Sequence, residues 1–363
     1  MILYAGAGFC IFLMLLNRYL ILIPDSRLKS PIILLAFSFL TGAAALFGWT
    51  HPHRPWVFLP IAVLCLIAVG EVRRALIRRS CAGSGPVDTT PCEVRLTRPF
   101  TTTDLVCRHY EVSLPNWEGP AFRIAHLTDL HIDPGLSDFY EQALRVVEQH
   151  DPDLVFLTGD FVSNREALPA LRELLRPLGK HGTFAVLGNH DYWVDADRVR
   201  AAVRDAGITL LTNESTTVSL AGEPIRISGI DYPWDRSEKS VPAAGPGELH
   251  LVLSHTPDNI YRISRSGADC VFSGHYHAGQ VRVPLAGSVV VPSVYGRRFD
   301  HGHFVVDGTH LFASGGIGAA KPPFRIYCHP DLFIVDVSGG RGMRSEEGIG
   351  RKLPMQKNDE ASE

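Results

Sequence analysis

The uneven distribution of charge constrains this chain more than any other feature. Residues 1–72 hold six charged side chains, Arg18, Asp25, Arg27, Lys29, Arg54 and Glu71, whereas the full 363 residues hold 35 Lys+Arg and 38 Asp+Glu. A stretch so poor in charge belongs in a bilayer or a buried core, so the chain divides into an apolar N-terminal region and a polar domain. With 45% hydrophobic residues, 20% charged residues and a net charge of −3, it is too apolar and too balanced for a disordered chain or a nonspecific nucleic-acid binder. Its seven cysteines are odd in number and include no CxxC, which points away from a disulfide framework or a cysteine zinc site.

Three apolar runs, 2–23, 31–49 and 56–70, are separated by polar turns, and each is read as a membrane-spanning helix. The middle run carries no charge; 19 residues at roughly 1.5 Å each give about 28 Å, close to the hydrocarbon thickness. The third gains length if Val72, Ala75, Leu76 and Ile77 continue it while Arg73 and Arg74 snorkel to the interface. A cleavable signal peptide is the competing reading of the first run, against the lack of a basic segment before it; buried soluble helices are the other alternative. Arg18, Arg27, Lys29, Arg73, Arg74, Arg78 and Arg79 fall on one side of three spans and only Arg54 on the other. The positive-inside rule then predicts a multi-pass protein of the inner (cytoplasmic) membrane, with its N-terminus outside and everything after residue 80 in the cytoplasm.

The expected organisation is a transmembrane region at 1–79, a connector at 80–120, a compact domain at 121–337 and a disordered tail at 338–363, rich in Gly, Glu, Lys and Ser. Within the compact domain, strand-like runs at 122–128, 153–158 and 183–187 alternate with helical patterns at 137–150, 165–180 and 195–206, the rhythm of an α/β fold. Phe139, Tyr140, Ala143, Leu144 and Val147 make one apolar stripe that should cover a sheet, with Ser137 as the cap. Further strands are expected at 225–230, 249–253, 268–272, 288–291, 303–306 and 332–337, and one helix at 257–266. Two packed sheets between helices fit that count.

Five short segments place candidate metal ligands just after strand-like runs: Asp129-Leu130-His131, Gly159-Asp160, Gly188-Asn189-His190-Asp191, His255, and Gly274-His275-Tyr276-His277. Loops at strand ends are where open sheets build their sites. Imidazole with carboxylate and no thiolate suits Mn²⁺, Fe²⁺, Zn²⁺ or Co²⁺. Asp129, His131, Asp160, Asn189, His255, His275 and His277 make seven donors, more than one ion takes while leaving room for a substrate, but enough for two ions sharing a carboxylate. Two dications against so few carboxylates leave a net positive charge, which favours a phosphate over a neutral ester.

As a set, these segments resemble the calcineurin-like metallophosphoesterase superfamily, whose pattern D-x-H, G-D, G-N-H-[DE], H, G-H-x-H is complete and in order between Asp129 and His277. Tyr192, Ala278-Gly279-Gln280, Gly315–Gly318 and Phe324-Arg325 are similar to the bacterial membrane-associated branch, which resembles UDP-2,3-diacylglucosamine pyrophosphatases of lipid A synthesis. The resemblance implies a four-layer α-β-β-α sandwich with two divalent ions, manganese first among them. It also implies that Asp129, His131 and His277 hold one ion, that Asn189, His255 and His275 hold the other, and that Asp160 bridges them. His190 would face the leaving oxygen, oriented by Asp191. Where many relatives carry an acidic residue after Gly-Asp, this chain has Phe161-Val162-Ser163.

The expected reaction is metal-dependent hydrolysis of a phosphoester or pyrophosphate, lipid-linked because the motifs begin close to the membrane segment. UDP-2,3-diacylglucosamine is the named expectation; a soluble nucleotide or phosphoprotein is the alternative, and a catalytically silent scaffold is disfavoured by the complete ligand set. Two loops are candidate substrate contacts, 232–247 with Trp234 and Arg236, and 295–300 with Arg297, Arg298 and Phe299. The glycines at 315–318 are either a phosphate cradle or turns.

Overall fold

The computed structural model describes residues 1–20, 28–51, 58–90, 97–231, 233–235, 243, 245 and 247–339. The tail from 340 onward, the segments 21–27, 52–57 and 91–96, and Arg236 lie outside the described residues.

The apolar N-terminal residues form three helices, α1 (Ile2–Leu15), α2 (Lys29–Thr50) and α3 (Phe58–Ser80). Small residues let the first two approach closely: Gly8 packs on the Leu40 carbonyl and Ala44, and Gly48 lies under the Tyr4 ring. Phe12 meets Phe37 edge-on at 5.2 Å. Among the described residues α2 alone is long and apolar enough to cross a membrane; α1 is a shorter apolar helix, and α3 carries Glu71, Arg73 and Arg74 in its second half. The three spans expected from the sequence therefore reduce to one helix that meets the criterion by itself. Apart from Gly48, the described residues of α2 keep their side chains outside the protein core.

The remaining elements are strands β1 (Asp88–Thr90), β2 (Val106–Leu114), β3 (Phe122–Leu127), β4 (Leu154–Thr158), β5 (Thr183–Val186), β6 (Thr209–Leu210), β7 (Ser215–Leu220), β8 (Glu223–Ile230), β9 (Leu249–Ser254), β10 (Cys270–Ser273), β11 (Arg282–Val283), β12 (Gly287–Ser288), β13 (Gly302–Val306), β14 (Thr309–Ala313) and β15 (Asp331–Gly339). They interleave with helices α4 (Ser137–Gln149), α5 (Leu168–Leu174), α6 (Asn189–Asp205) and α7 (Ile260–Ile263). One sheet runs β1-β2-β15-β3-β4-β5-β6, the other β13-β14-β10-β9-β8-β7. The inner strands β3 to β6 are parallel to one another, as are β8, β9, β10 and β14.

The sheets face each other across aromatic rings. Phe272 of β10 lies 5.0 Å from Phe156 of β4 and stacks at 5.2 Å on Phe312, while Tyr110 of β2 meets Phe312 at 5.6 Å and Phe333 at 4.9 Å. Helices α4, α5 and α6 cover the outer face of the first sheet, and α7 with Tyr276 and Phe299 covers the second. The layers are thus helix, sheet, sheet, helix. The predicted stripe on α4 is the buried one, but Ser137 is not its cap: Asp133 caps a preceding 3-10 turn, and Ser137 Oγ donates to the Pro134 carbonyl.

Three other expectations change. The helix at 165–180 ends at Leu174 because Leu175 is extended and Pro177 follows. The helix expected from 195 starts at Asn189 and kinks at Asp195. The first sheet also reaches into the connector, where β2 pairs along nine residues with β15.

Chain order puts the carboxyl ends of β3, β4, β5, β9 and β10 at one end of the sandwich, and the five ligand-bearing segments follow those ends directly. Removing the Phe272 ring from between the sheets should cost about 3–5 kcal/mol, read as a lower denaturation midpoint of the Phe272→Ala full chain with an unchanged denaturant slope.

Candidate metal centre

Three of the five ligand loops turn sharply just after their strands. Asp129, His131, Asp160, His275 and His277 all take left-handed backbone conformations, at φ of 49, 39, 55, 68 and 50°. Such conformations are unfavourable for side-chain-bearing residues and recur where function fixes geometry. Neighbouring glycines make room for them: a Cβ on Gly188 would strike the Asp160 carboxylate, and one on Gly274 would strike Asp129 Oδ2 and Thr128 Oγ1. Backbone bonds then tie loop to loop, from Asp129 N–H to the Gly159 carbonyl and from His131 N–H to the Asp160 carbonyl, both at 2.9 Å.

The turns bring the ligand atoms into two groups. Asp129, His131, Asp160 and His277 form one, and Asp160, His255 and His275 the other, with the atoms of each group within 4.8 Å of one another. Asp160 Oδ2 belongs to both, 3.5 Å from His131 Nε2 and 3.3 Å from His255 Nε2. Its other oxygen accepts the His190 backbone N–H at 2.8 Å.

The outer nitrogens are fixed by the protein. His255 Nδ1 bonds the Thr158 carbonyl at 2.6 Å, and His131 Nδ1 bonds Ser163 Oγ at 2.7 Å, so Ser163 occupies the stretch where many relatives are acidic. A histidine held through one nitrogen presents the other to a metal. Asn189 sits at the start of α6 with Oδ1 buried and without a hydrogen-bond partner, as are Asp129 Oδ1 and His255 Nε2. Nε2 of His131 faces Nε2 of His277 at 3.1 Å. Buried acceptors that converge without donors are what a cation satisfies, so the residues present fit a metal.

Electrostatics agree. Burial holds the His131 and His275 imidazoles down at about 3 and His277 well below its ordinary value, which keeps them in the neutral, ligating form. Burial pushes Asp129 up to about 7, and the adjacent Asp160 charge adds to the effect. Burial also acts against Asp160, but the surrounding imidazoles, His255 first, outweigh it and hold Asp160 well below the usual carboxylate range. His255 moves the other way, up to about 9, because Asp160 and Asp129 outweigh its burial. The cleft therefore favours positive charge between its carboxylates.

Asp191, expected to orient the His190 ring, has another task. Its carboxylate accepts four backbone N–H groups: Asp160 at 2.8 Å, Gly188 and Phe161 at 2.9 Å, and Val162 at 3.3 Å. It clamps the Gly-Asp loop onto the start of α6. The His190 ring is partly exposed, edge-on to His131 at 4.7 Å and backed by Trp193 at 4.9 Å. Trp234 lies against His255 and His275, each at 5.3 Å.

The glycines at 315–318 are packing turns. Ile317 N–H donates to the Thr128 carbonyl and Gly318 N–H to that of Asp129, while Gly315 N–H donates to Asp331 Oδ1. These groups hold protein, not phosphate, and a Cβ on Gly316 would meet Asp129 Cβ at 2.6 Å. Behind them the fully buried Arg325 donates to the carbonyls of Gly315, Gly316, Gly318 and His277, joining the glycine turn to the last histidine pair. Phe324, Ile326 and Tyr327 around it hint at burial, but not at the carbonyls the guanidinium will meet.

Arg297 and Arg298, expected as substrate contacts, are engaged elsewhere. Arg297 pairs with Glu71 of α3 at 2.5 Å and donates to the Ser288 carbonyl; Arg298 bonds Tyr261 Oη at 2.8 Å and lies over the Tyr295 ring.

Residues 122–279 match the family model described as calcineurin-like phosphoesterase. Among curated proteins, the chain is similar to phosphodiesterase YaeI of Escherichia coli (strain K12), 30% identical over 223 residues, covering 60% of this chain and 82% of that one. It is also similar to YkoQ, a metallophosphoesterase of Bacillus subtilis (strain 168), 34% identical over 226 residues, covering 58% and 81% of the two chains. YkuE of the same organism is 27% identical over 230 residues, covering 59% and 78%.

Asp160→Asn removes the charge that both donor groups share, so elemental analysis of the purified variant should show metal affinity at least roughly 10–100-fold weaker at both, with an unchanged circular dichroism spectrum. Gly274→Ala should displace Asp129 and weaken the metal site in the same assay; retention of full metal would refute the close-packing argument.

Proposed function

Because the chain belongs to the calcineurin-like phosphoesterase family and is a metal-dependent phosphoester hydrolase, we propose that its cleft holds two divalent ions, one by Asp129, His131 and His277 and one by Asn189, His255 and His275, with Asp160 shared. The sharing of Asp160 between two donor groups is the observation that carries this reading. Manganese is the leading choice by resemblance to the family, and the imidazole and carboxylate donors also suit iron, zinc and cobalt. When bound, such ions supply Lewis acidity toward a phosphoryl group and make water acidic enough to attack near neutral pH.

The chain's own residues do the rest. Neutral His131, His275 and His277 ligate without competing protons, and Asp160 stays ionised between the two sites. The His190 backbone is fastened to Asp160 Oδ1, which fixes its ring at the rim of the cleft, where the imidazole donates a proton to the departing oxygen. Trp193 limits the ring's movement from the outer side.

The substrate, in this reading, is a lipid-linked phosphodiester or pyrophosphate reached from the cytoplasmic face of the inner membrane. Two features support it: the E. coli relative is a phosphodiesterase, and α2 is long and apolar enough to cross a membrane. UDP-2,3-diacylglucosamine is the specific substrate proposed, and a soluble nucleotide or phosphoprotein is the competing one.

Metal-loaded full chain offered acylated and deacylated UDP-glucosamine, nucleotide diphosphates and an aryl phosphodiester, with product masses recorded, separates these. Preference for the acylated compound supports the lipid reading, and equal turnover of its deacylated form overturns it. His190→Ala should keep its metal and lose roughly 10²–10⁴-fold in kcat on an alkyl phosphodiester, with a much smaller loss on an aryl phosphodiester whose leaving group needs no proton.

A further inference from the structure

The arginines that close the apolar region do not simply point into water. At the end of α3, Arg74, Arg78 and Arg79 line a cavity of about 400 Å³ whose opposite side carries Arg282, Arg297 and Asp300. Five guanidinium groups thus surround one lining carboxylate. Asp300 is taken by Arg78 and, at 3.4 Å, by Arg282. Glu71 lies nearby and takes Arg74 at 2.8 Å and Arg297 at 2.5 Å. Counting both carboxylates, three positive charges remain uncompensated. The Arg79 side chain is exposed and forms no hydrogen bond or ion pair among the described residues, so its planar fork is available to a ligand.

The cavity opens beside apolar surface. On α3, Val69, Val72 and Leu76 are 66, 59 and 63% exposed, and Leu285 on the cavity wall is fully exposed. Clustered guanidinium groups recognise phosphate by bidentate hydrogen bonds, and basic pockets at the cytoplasmic end of membrane helices suit anionic lipid head groups. None of the seven metal-ligand residues lines the cavity; the nearest link is the Arg282 side chain, which donates to the Ala278 carbonyl beside His277 at 2.8 Å.

We propose that this cavity binds the phosphate head group of an anionic phospholipid, with the acyl chains lying along Val69, Val72 and Leu76. The inference rests on the membrane reading given above, and it assigns a site separate from the hydrolytic cleft.

The test reconstitutes the full chain in vesicles of phosphatidylcholine alone or with phosphatidylglycerol, then measures lipid retained after exchange into mild detergent by native mass spectrometry. The wild-type chain should retain phosphatidylglycerol roughly 10–100-fold in preference to phosphatidylcholine. Arg79→Gln with Arg74→Gln should bring the two lipids close to parity, while Arg79→Lys should keep most of the preference; turnover of an aryl phosphodiester should be unchanged in both variants. Incorporation into both vesicle types with no lipid preference, or a preference that survives the double substitution, would overturn the lipid site and leave the membrane reading standing. Failure to incorporate into either vesicle would overturn both. Displacement of the bound lipid by about 10 mM inorganic phosphate would assign the cavity to a free anion instead and overturn the lipid source.

Discussion

Carboxylates and imidazoles crowded into one buried cleft are tolerable only with compensating positive charge, and the position of Asp160 decides where that charge falls. Asp191 fixes its backbone, the His190 amide fixes one oxygen, and His131 and His255 face the other. Moving this carboxylate by an ångström would separate the two donor groups that now share it. Five ligand residues are held in left-handed turns that each cost on the order of 1 kcal/mol or more. A domain typically has only about 5–15 kcal/mol of net stability, so the aromatic packing between the sheets and the helix-covered outer faces must sustain that strain.

Much of the centre was legible because ligand chemistry limits the choice of residue. Asp129, His131, Asp160, His255, His275 and His277 stand just after apolar strand runs, and the structure converges on those residues. The α4 stripe was legible for a similar reason: a helix covering a sheet must repeat its apolar residues near every 3.6 positions. What escaped were roles set by tertiary contacts. Asp191 reads as the acidic partner of a neighbouring histidine, yet its oxygens serve four amides, three from the Gly-Asp loop and one from Gly188 in its own turn. Arg325 stood out in sequence only beside Phe324, and its task, holding the glycine turn through its guanidinium, is set by the fold. β2 lay hidden because its residues, including Arg108, His109 and Glu111, mix polar and apolar side chains; its place is fixed by pairing with β15, more than 200 residues away.

The same limit applies to the 297–298 arginine pair. Adjacent guanidinium groups in a loop suggest an anion, and the sequence alone gives no sign that Glu71 on α3 and the Tyr261 hydroxyl will reach them. Helical hydropathy has a matching blind spot. It registers how apolar a segment is, but not that Gly8 and Gly48 let α1 and α2 nest together, nor that the arginines of α3 will be bound to a distant loop.

The join between helices and sandwich has a mechanical consequence. α3 runs into a β-bridge between Ala82 and Phe304, with Gly83 N–H on the His303 carbonyl and Val305 N–H on that of Cys81, while Asn17 exchanges bonds with Val289 and Val291. No slack tether separates the two parts. If α2 spans a bilayer, as proposed above, such a coupling would set the catalytic mouth at one height and one inclination, so thickness or curvature of the surrounding sheet of lipid would govern which molecules reach it.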